Sequence, residues 1–217
     1  MIPNFKMTKS KQVRLKLVLD IINKENLSGK FIDLGCKDGY LLDKVKSLGY
    51  SVHGCDISEN IVKVLSKQGF NVQKVDLQKI LPYENDSFDV ITCLQVIEHL
   101  TNPEHLLTEI YRILKPGGVL ILSTPNLASI GSRLRLLFGL FPLQLSPCEK
   151  WHFGNHYRLF TVPTLKIVLL RNKFSVERVI GTEIYFNPSS WKKGFHSTYL
   201  AKLFPSLAQR VIVVCKK

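Results

Sequence analysis

Three carboxylates stand where apolar runs end. In Asp33-Leu34-Gly35-Cys36-Lys37-Asp38-Gly39 the glycines permit a tight turn and let backbone come close to a ligand. The spacing Gly35-x-x-x-Gly39 is not the G-x-G-x-x-G of a dinucleotide site, and alone it is equally a turn with no ligand. Asp56, in Val52-His53-Gly54-Cys55-Asp56-Ile57-Ser58, comes 17 residues after Gly39. A carboxylate at that strand end can accept both hydroxyls of a ribose. Ser58 suits a helix N-cap, which leaves Asp56 free for that role. Asp76, in Val75-Asp76-Leu77, can reach an adenine amino group or be a solvated loop carboxylate.

A second set of residues offers proton chemistry. His99 follows Glu98, and an imidazole titrates near neutral pH, so His99, His152 and His156 are candidate general bases. His99 can equally cap or pack its helix. Cys148, His152 and His156 recur at a spacing of four, which on a helix would line one face as metal ligands. Gly154 and Asn155 weaken such a helix and no second carboxylate follows, so no metal is expected.

The elements that position these residues follow from periodicity. Short apolar runs at Phe31–Leu34, Ser51–Cys55, Asn71–Val75, Phe88–Leu94 and Val119–Thr124 read as strands. Helical spacing over Tyr40–Leu48, Glu59–Gln68 and Glu104–Leu114 separates them, and Lys115-Pro116-Gly117-Gly118 marks the turn before the fifth strand. Strand–helix alternation with right-handed crossovers predicts an α/β fold, a doubly wound and mostly parallel sheet with helices on both faces. The alternation lapses over 126–161, resumes with a helix at Val162–Arg171 and a strand at Phe174–Gly181, lapses again over 182–209, and closes with a strand at Arg210–Cys215. One domain spanning 1–217 is expected: an N-terminal helical arm (1–29), a core (30–125) and two insertions (126–161 and 182–209).

Composition narrows the class. The 217 residues are 45% hydrophobic and 22% charged, ordinary globular usage that excludes disordered and collagen-like chains. No apolar stretch reaches the roughly 20 residues of a spanning helix. The run Leu15–Ile22 is broken by Lys16 and Asp20, so no secretory signal is expected. Five cysteines without a CxxC pair read as reduced thiols in a cytoplasmic protein. The net charge of +13 is uneven: residues 1–30 hold 7 basic and 2 acidic side chains, 31–125 hold 9 and 12, and 126–217 hold 14 and 3. The ends are therefore basic around a mildly acidic middle, which suits a cationic ligand in the core and anionic partners at the ends.

Taken in order, Asp33–Gly39, Asp56, Asp76 and the runs Phe88–Leu100 and Leu114–Leu120 resemble the class I S-adenosylmethionine-dependent methyltransferases, over about residues 30–174. Within that class the chain looks most like the subgroup containing the ubiquinone and menaquinone biosynthesis methyltransferases, which have a similar Glu98-His99-Leu100 segment. The resemblance implies a seven-stranded Rossmann-like methyltransferase sheet and S-adenosyl-L-methionine as cofactor. It places Asp33, Gly35 and Gly39 around the methionine part, Asp56 with Ile57 at the ribose, Asp76 and Leu77 at the adenine, and the backbone of Leu94 at the amino-acid end. Lys37 stands where the family usually has glycine; it can hold the cofactor carboxylate, point to solvent or occlude the site.

The acceptor side is read from the insertions. His156-Tyr157-Arg158-Leu159-Phe160-Thr161 resembles an acceptor-facing stretch of the same subgroup, so His152 and Arg158, with Asn126 behind the fifth strand, are candidate substrate-binding residues and His99 and His156 candidate catalytic ones. The alternative there is structural, with Thr161 as a helix cap. Leu134–Leu143, with Arg133 and Arg135 at its start, is a lid, an interfacial helix lying on a membrane, a dimer contact or a helix packed on the core. The expected function is methyl transfer to O or N of a small or lipid-linked anionic acceptor, in the cytoplasm with peripheral membrane contact. A catalytically impaired scaffold and an RNA methyltransferase are the alternatives. Nucleic acid is disfavoured as partner because Cys93-Leu94-Gln95-Val96 lacks an Asn/Asp-Pro-Pro-aromatic element and no RNA-binding module is appended.

Overall fold

In a computed structural model, residues 7–24, 29–142, 156–186 and 195–217 are described. Along the chain α1 (Lys9–Lys24) precedes β1 (Lys30–Leu34), α2 (Tyr40–Lys46), β2 (Ser51–Asp56), α3 (Glu59–Lys67), β3 (Asn71–Lys74) and β4 (Phe88–Leu94). Then come α4 (Pro103–Ile113), β5 (Leu114–Pro125), α5 (Ile130–Leu137), α6 (Val162–Arg171), β6 (Ser175–Gly181), β7 (Ile184–Phe186), β8 (Phe195–Ser197), α7 (Thr198–Leu203) and β9 (Arg210–Lys216).

Seven strands form one sheet in the order β3-β2-β1-β4-β5-β9-β6. The first five are parallel, and β9 runs antiparallel between β5 and β6. The order reverses between β1 and β4, so the loops after their C-terminal ends diverge and leave a crevice, the place where ligands bind in open α/β sheets. Asp33 and Leu94 lie at those ends, and Asp56 ends the adjoining β2.

Alternation along the strands divides the core in two. Ile32, Leu34, Ile91 and Cys93 pack on one face with Leu106 and Ile110 of α4 and Leu165 and Leu169 of α6. Phe31, Val90 and Ile121 pack on the other with Val18 of α1, Leu42 and Val45 of α2 and Leu65 of α3. The N-terminal helix packs into that second cluster through Leu15, Val18, Ile21 and Ile22.

Three local readings are refined. The turn expected before the fifth strand is absorbed into it, since β5 already begins at Leu114 and Lys115-Pro116-Gly117-Gly118 sits at a register shift between Phe88 and Val90 of its partner. Gly117 takes φ 75°, the left-handed geometry that an irregularity of this kind asks of a glycine. The first insertion contains α5, capped by the Ser129 hydroxyl on the Ser132 amide. Thr161 is a helix cap, in a reciprocal box with Thr164 that opens α6.

Candidate active site

The glycine turn after β1 takes the shape that its residues allow. Gly35 has φ 83° and Gly39 φ 69°, and a Cβ on Gly35 would lie 2.6 Å from Cγ2 of Val96. The amides of Gly35 and Cys36 both donate to the Cys55 carbonyl, tying the turn to β2. Lys37 also adopts a left-handed backbone, φ 47°. Only glycine takes that conformation without steric cost, which accounts physically for the glycine usual there.

Asp56 is buried and, contrary to expectation, not left free. Ser58 does cap α3, its Oγ accepting from the Ile61 amide. Yet Oδ1 of Asp56 accepts from the Ser58 amide at 2.9 Å and Oδ2 from the Lys37 amide at 3.1 Å. An aspartate placed two residues before a helix start cannot avoid the first of these bonds. Each oxygen keeps further acceptor capacity, so the carboxylate is fixed in place and can still take a ribose diol. Ile57 beside it is 65% exposed, an uncovered apolar surface suited to a base. Asp76 accepts from the Gln78 amide at 3.0 Å, and Leu77 is buried next to it.

Asp33 is buried and takes the Thr92 hydroxyl at 2.6 Å. Burial first, and then the negative charges of Asp38 and Asp56, push its carboxyl up to about 6 against the opposing hydroxyl bond. A cationic ligand is what such a group lacks. The side chain of Lys37 lines a cavity of about 530 Å³ with Lys11, Asp38, Ile61, Val64 and Leu65, on the α1/α3 side of the turn. Lys11 and Asp38 form an ion pair at this cavity.

Arg14 of α1 was not among the expected residues. Burial and the neighbouring Arg210 lower its pKa to about 10, while Glu98, Glu183 and Asp33 pull the other way. Its Nε is buried with no hydrogen-bond partner among the described residues. The signal was available: Arg14 shares a helix face with Val18 and Ile21, and a charge on a core stripe has to meet a partner there.

On the acceptor side the chain past β4 turns at Gln95, φ 57°, into a short 3-10 turn, Ile97–His99. The amides of Tyr157 and Arg158 both donate to the Glu98 carbonyl, at 2.9 and 3.1 Å. That docking brings the His156 and His99 rings to 4.9 Å between centroids. The Glu98 side chain is buried beside them; Oε2 accepts from the Thr124 hydroxyl, and Oε1 has no partner among the described residues. Burial pushes the Glu98 carboxyl up, with the charges of His156 and Arg14 and the Thr124 bond resisting.

One ligand atom from each of Glu98, His99 and His156 lies within 4.8 Å of the others. The trio can orient an imidazole as a base or hold a divalent cation. Of Cys148, His152 and His156, which recur at a spacing of four, Cys148 and His152 lie outside the described residues.

Two further residues are placed structurally. Arg158 donates from Nε and Nη2 to the Thr101 carbonyl, at 3.1 and 2.8 Å, pinning its segment to the loop before α4. Asn126 is 1% exposed; its Nδ2 donates to the carbonyls of Ser206 and Ala208 and its Oδ1 accepts from the Ala128 amide. Its polar atoms are engaged in bracing the two insertions against each other.

With this geometry in hand, comparisons with known proteins are informative. A family model described as a methyltransferase domain matches residues 9–179. The chain is 30% identical over 161 residues to the ubiquinone biosynthesis O-methyltransferase of Xanthomonas oryzae pv. oryzae, a match covering 70% of this chain and 65% of that protein's length. It is 28% identical over 189 residues to the protein of the same name from Coxiella burnetii, covering 76% and 78%. In three dimensions it is similar to a Thermotoga maritima protein described as an S-adenosylmethionine-dependent methyltransferase and possible histamine N-methyltransferase. That likeness has a TM-score of 0.65 and 22% identity, over 94% of this chain and 89% of the other, and supports the shared fold.

Proposed function

Because the chain belongs to the methyltransferase-domain family, whose cofactor is S-adenosylmethionine, we propose that it transfers the cofactor's methyl group to an oxygen of a small or lipid-linked, anionic acceptor. The observation that supports this best is the facing of two clusters across the strand-order reversal. Asp33, Gly35, Gly39 and Asp56 lie on one side and Glu98, His99 and His156 on the other. The ubiquinone biosynthesis O-methyltransferases among its relatives favour oxygen over nitrogen and a lipid-linked acceptor.

In this reading Asp56 takes the ribose hydroxyls, with Ile57, Asp76 and Leu77 around the adenine and the backbone of Leu94 at the amino-acid end. The Arg14 guanidinium, whose Nε is buried, would meet the cofactor carboxylate, and Lys37, which lines the cavity on the α1/α3 side, would stand clear of it. The sulfonium supplies an activated methyl carbon. When bound, that group would supply the carbon to an acceptor oxygen and keep the electron pair on sulfur, while His156 or His99 would take the hydroxyl proton. Glu98 orients the imidazole. The surplus of basic residues in 126–217 favours an anionic acceptor arriving at the insertions.

A second reading keeps the reaction and changes the activator. The unpartnered Oε1 of Glu98 favours a divalent cation held with His99 and His156, which would lower the acceptor hydroxyl's pKa directly. Loss of turnover after chelation, restored by magnesium or manganese, selects this reading; turnover indifferent to chelation selects the imidazole base.

Calorimetry with S-adenosylmethionine is the first test. Binding is expected, with Asp56→Ala weakening it at least tenfold for the loss of a charge-assisted pair of hydrogen bonds. No binding by the intact protein overturns the proposal. Tritiated methyl groups should then appear in the lipid-extractable fraction of a cell extract. Label confined to RNA selects an RNA methyltransferase, and binding without transfer to any fraction selects a scaffold.

A further inference from the structure

We infer that the two insertions together build a single membrane-docking face, selective for anionic lipid. The first insertion leaves α5 and the residues after it uncovered: Leu137 is 75% exposed and Phe138 73%, with Leu136, Leu140 and Phe141 also exposed. The second leaves Tyr199, 70% exposed, Leu203 and Phe204 uncovered on and just after α7. These two groups belong to one unit. Ile130 of α5, Ile184 of β7, Leu200 and Ala201 of α7 and Leu207 share a small satellite core apart from the two main ones. Asn126 ties the start of the first insertion to Ser206 and Ala208 at the end of the second. A helix whose inner residues are buried in a satellite core presents its remaining large apolar side chains outward, and surfaces of this kind mark contacts with a partner or a bilayer.

Charge selects the bilayer. Arg133 and Arg135 use their Nε atoms on the carbonyls of Ala128 and Phe141, and among the described residues neither has an acidic partner. Lys202 of α7 is exposed, and among the described residues it too has no acidic partner. Residues 126–217 hold only 3 acidic side chains, and two of them are engaged at home, Glu183 by Arg210 and His196 and Glu177 by Ser175. Apolar side chains flanked by cations that pair with no carboxylate among the described residues fit an anionic headgroup layer over acyl chains. Among the described residues no helix is long and apolar enough to cross a membrane, so contact is lateral.

The test is co-sedimentation of the full chain with vesicles of phosphatidylcholine alone and with one third phosphatidylglycerol. Because it reads partitioning and not turnover, it stands or falls separately from methyl transfer. The protein is expected to pellet with the anionic vesicles and to be released by salt. Leu137→Ser with Phe138→Ser should lower the partition coefficient at least tenfold. Arg133→Gln and Arg135→Gln should each lower it about fivefold on anionic vesicles only.

Tyr199→Ser with Leu203→Ser should also lower it, as a joint face requires; binding unchanged in that variant overturns the joint face. Absence of binding to anionic vesicles at low salt overturns the proposal. So does a concentration-dependent dimer in solution that the Leu137→Ser, Phe138→Ser variant abolishes, which would assign the face to a second copy. Calorimetric binding of S-adenosylmethionine, unchanged in each variant, controls for folding, since none of these residues belongs to the cofactor side.

Discussion

His156 and His99, 57 residues apart in the chain, hold their rings 4.9 Å apart because the amides following His156 both bond to the carbonyl of Glu98. Two imidazoles of one pair do not have equal tasks, and substitution separates them. His156→Asn and His99→Asn should each leave cofactor affinity within about twofold, and whichever is the base should lower kcat by about 10²–10⁴-fold. Measured kcat and calorimetric affinity for both variants assign the role; unchanged kcat in both removes general-base catalysis.

Lys37 holds a left-handed backbone at a position exposed to solvent. Relief of that strain in Lys37→Gly, offset by glycine's greater freedom when unfolded, should raise stability by up to about 1 kcal/mol. For a chain of this length that is a rise in Tm of about 2–4 °C by scanning calorimetry. A lowered Tm would show that the lysine side chain supplies more than its backbone costs. If turnover, absent in the parent, emerged in the variant, the lysine would be an obstruction.

Asp33 gives a pH dependence with a definite sign. Its folded pKa of about 6 lies above the ordinary carboxyl value of 3.8, so the native state binds the proton more tightly than the unfolded one. Its contribution therefore favours the native state at low pH and is lost as pH rises through about 6. Cofactor binding runs the other way, since a sulfonium and an ammonium favour the ionised carboxylate. Affinity for S-adenosylmethionine should be level above pH 7 and fall up to tenfold per pH unit below 6, with proton release on binding. Asp33→Asn should flatten that profile. An unaltered slope in the variant would place the titration elsewhere.

Asn126 braces the insertions through three hydrogen bonds made from a buried amide. Asn126→Ala leaves two carbonyls and an amide in want of partners and should cost about 2–4 kcal/mol, read as a fall in denaturation midpoint. If the brace also sets the membrane face, vesicle partition should fall with it. A loss of acceptor affinity at unchanged stability would instead return Asn126 to the acceptor site.

The sequence alone determined the parallel sheet, the helices between its strands and the sharp turn after the first strand. Those features are local: a period of two or 3.6, a glycine at a sharp turn and a carboxylate at a strand end all act within a few residues of one another. The glycine turn at Gly35 and Gly39 and the strand-end position of Asp56 were legible for that reason, and so was Thr161 as a cap. What only the tertiary structure decided rests on contacts between distant segments. The Lys37 amide binds Asp56 across 19 residues, Arg14 meets the charges of Glu98 and Arg210, His156 stands beside His99, and Asn126 reaches Ser206 and Ala208. Periodicity says which face of an element is buried but not which element it meets, so the Glu98, His99 and His156 cluster, made almost wholly of such meetings, became visible only when the chain was folded.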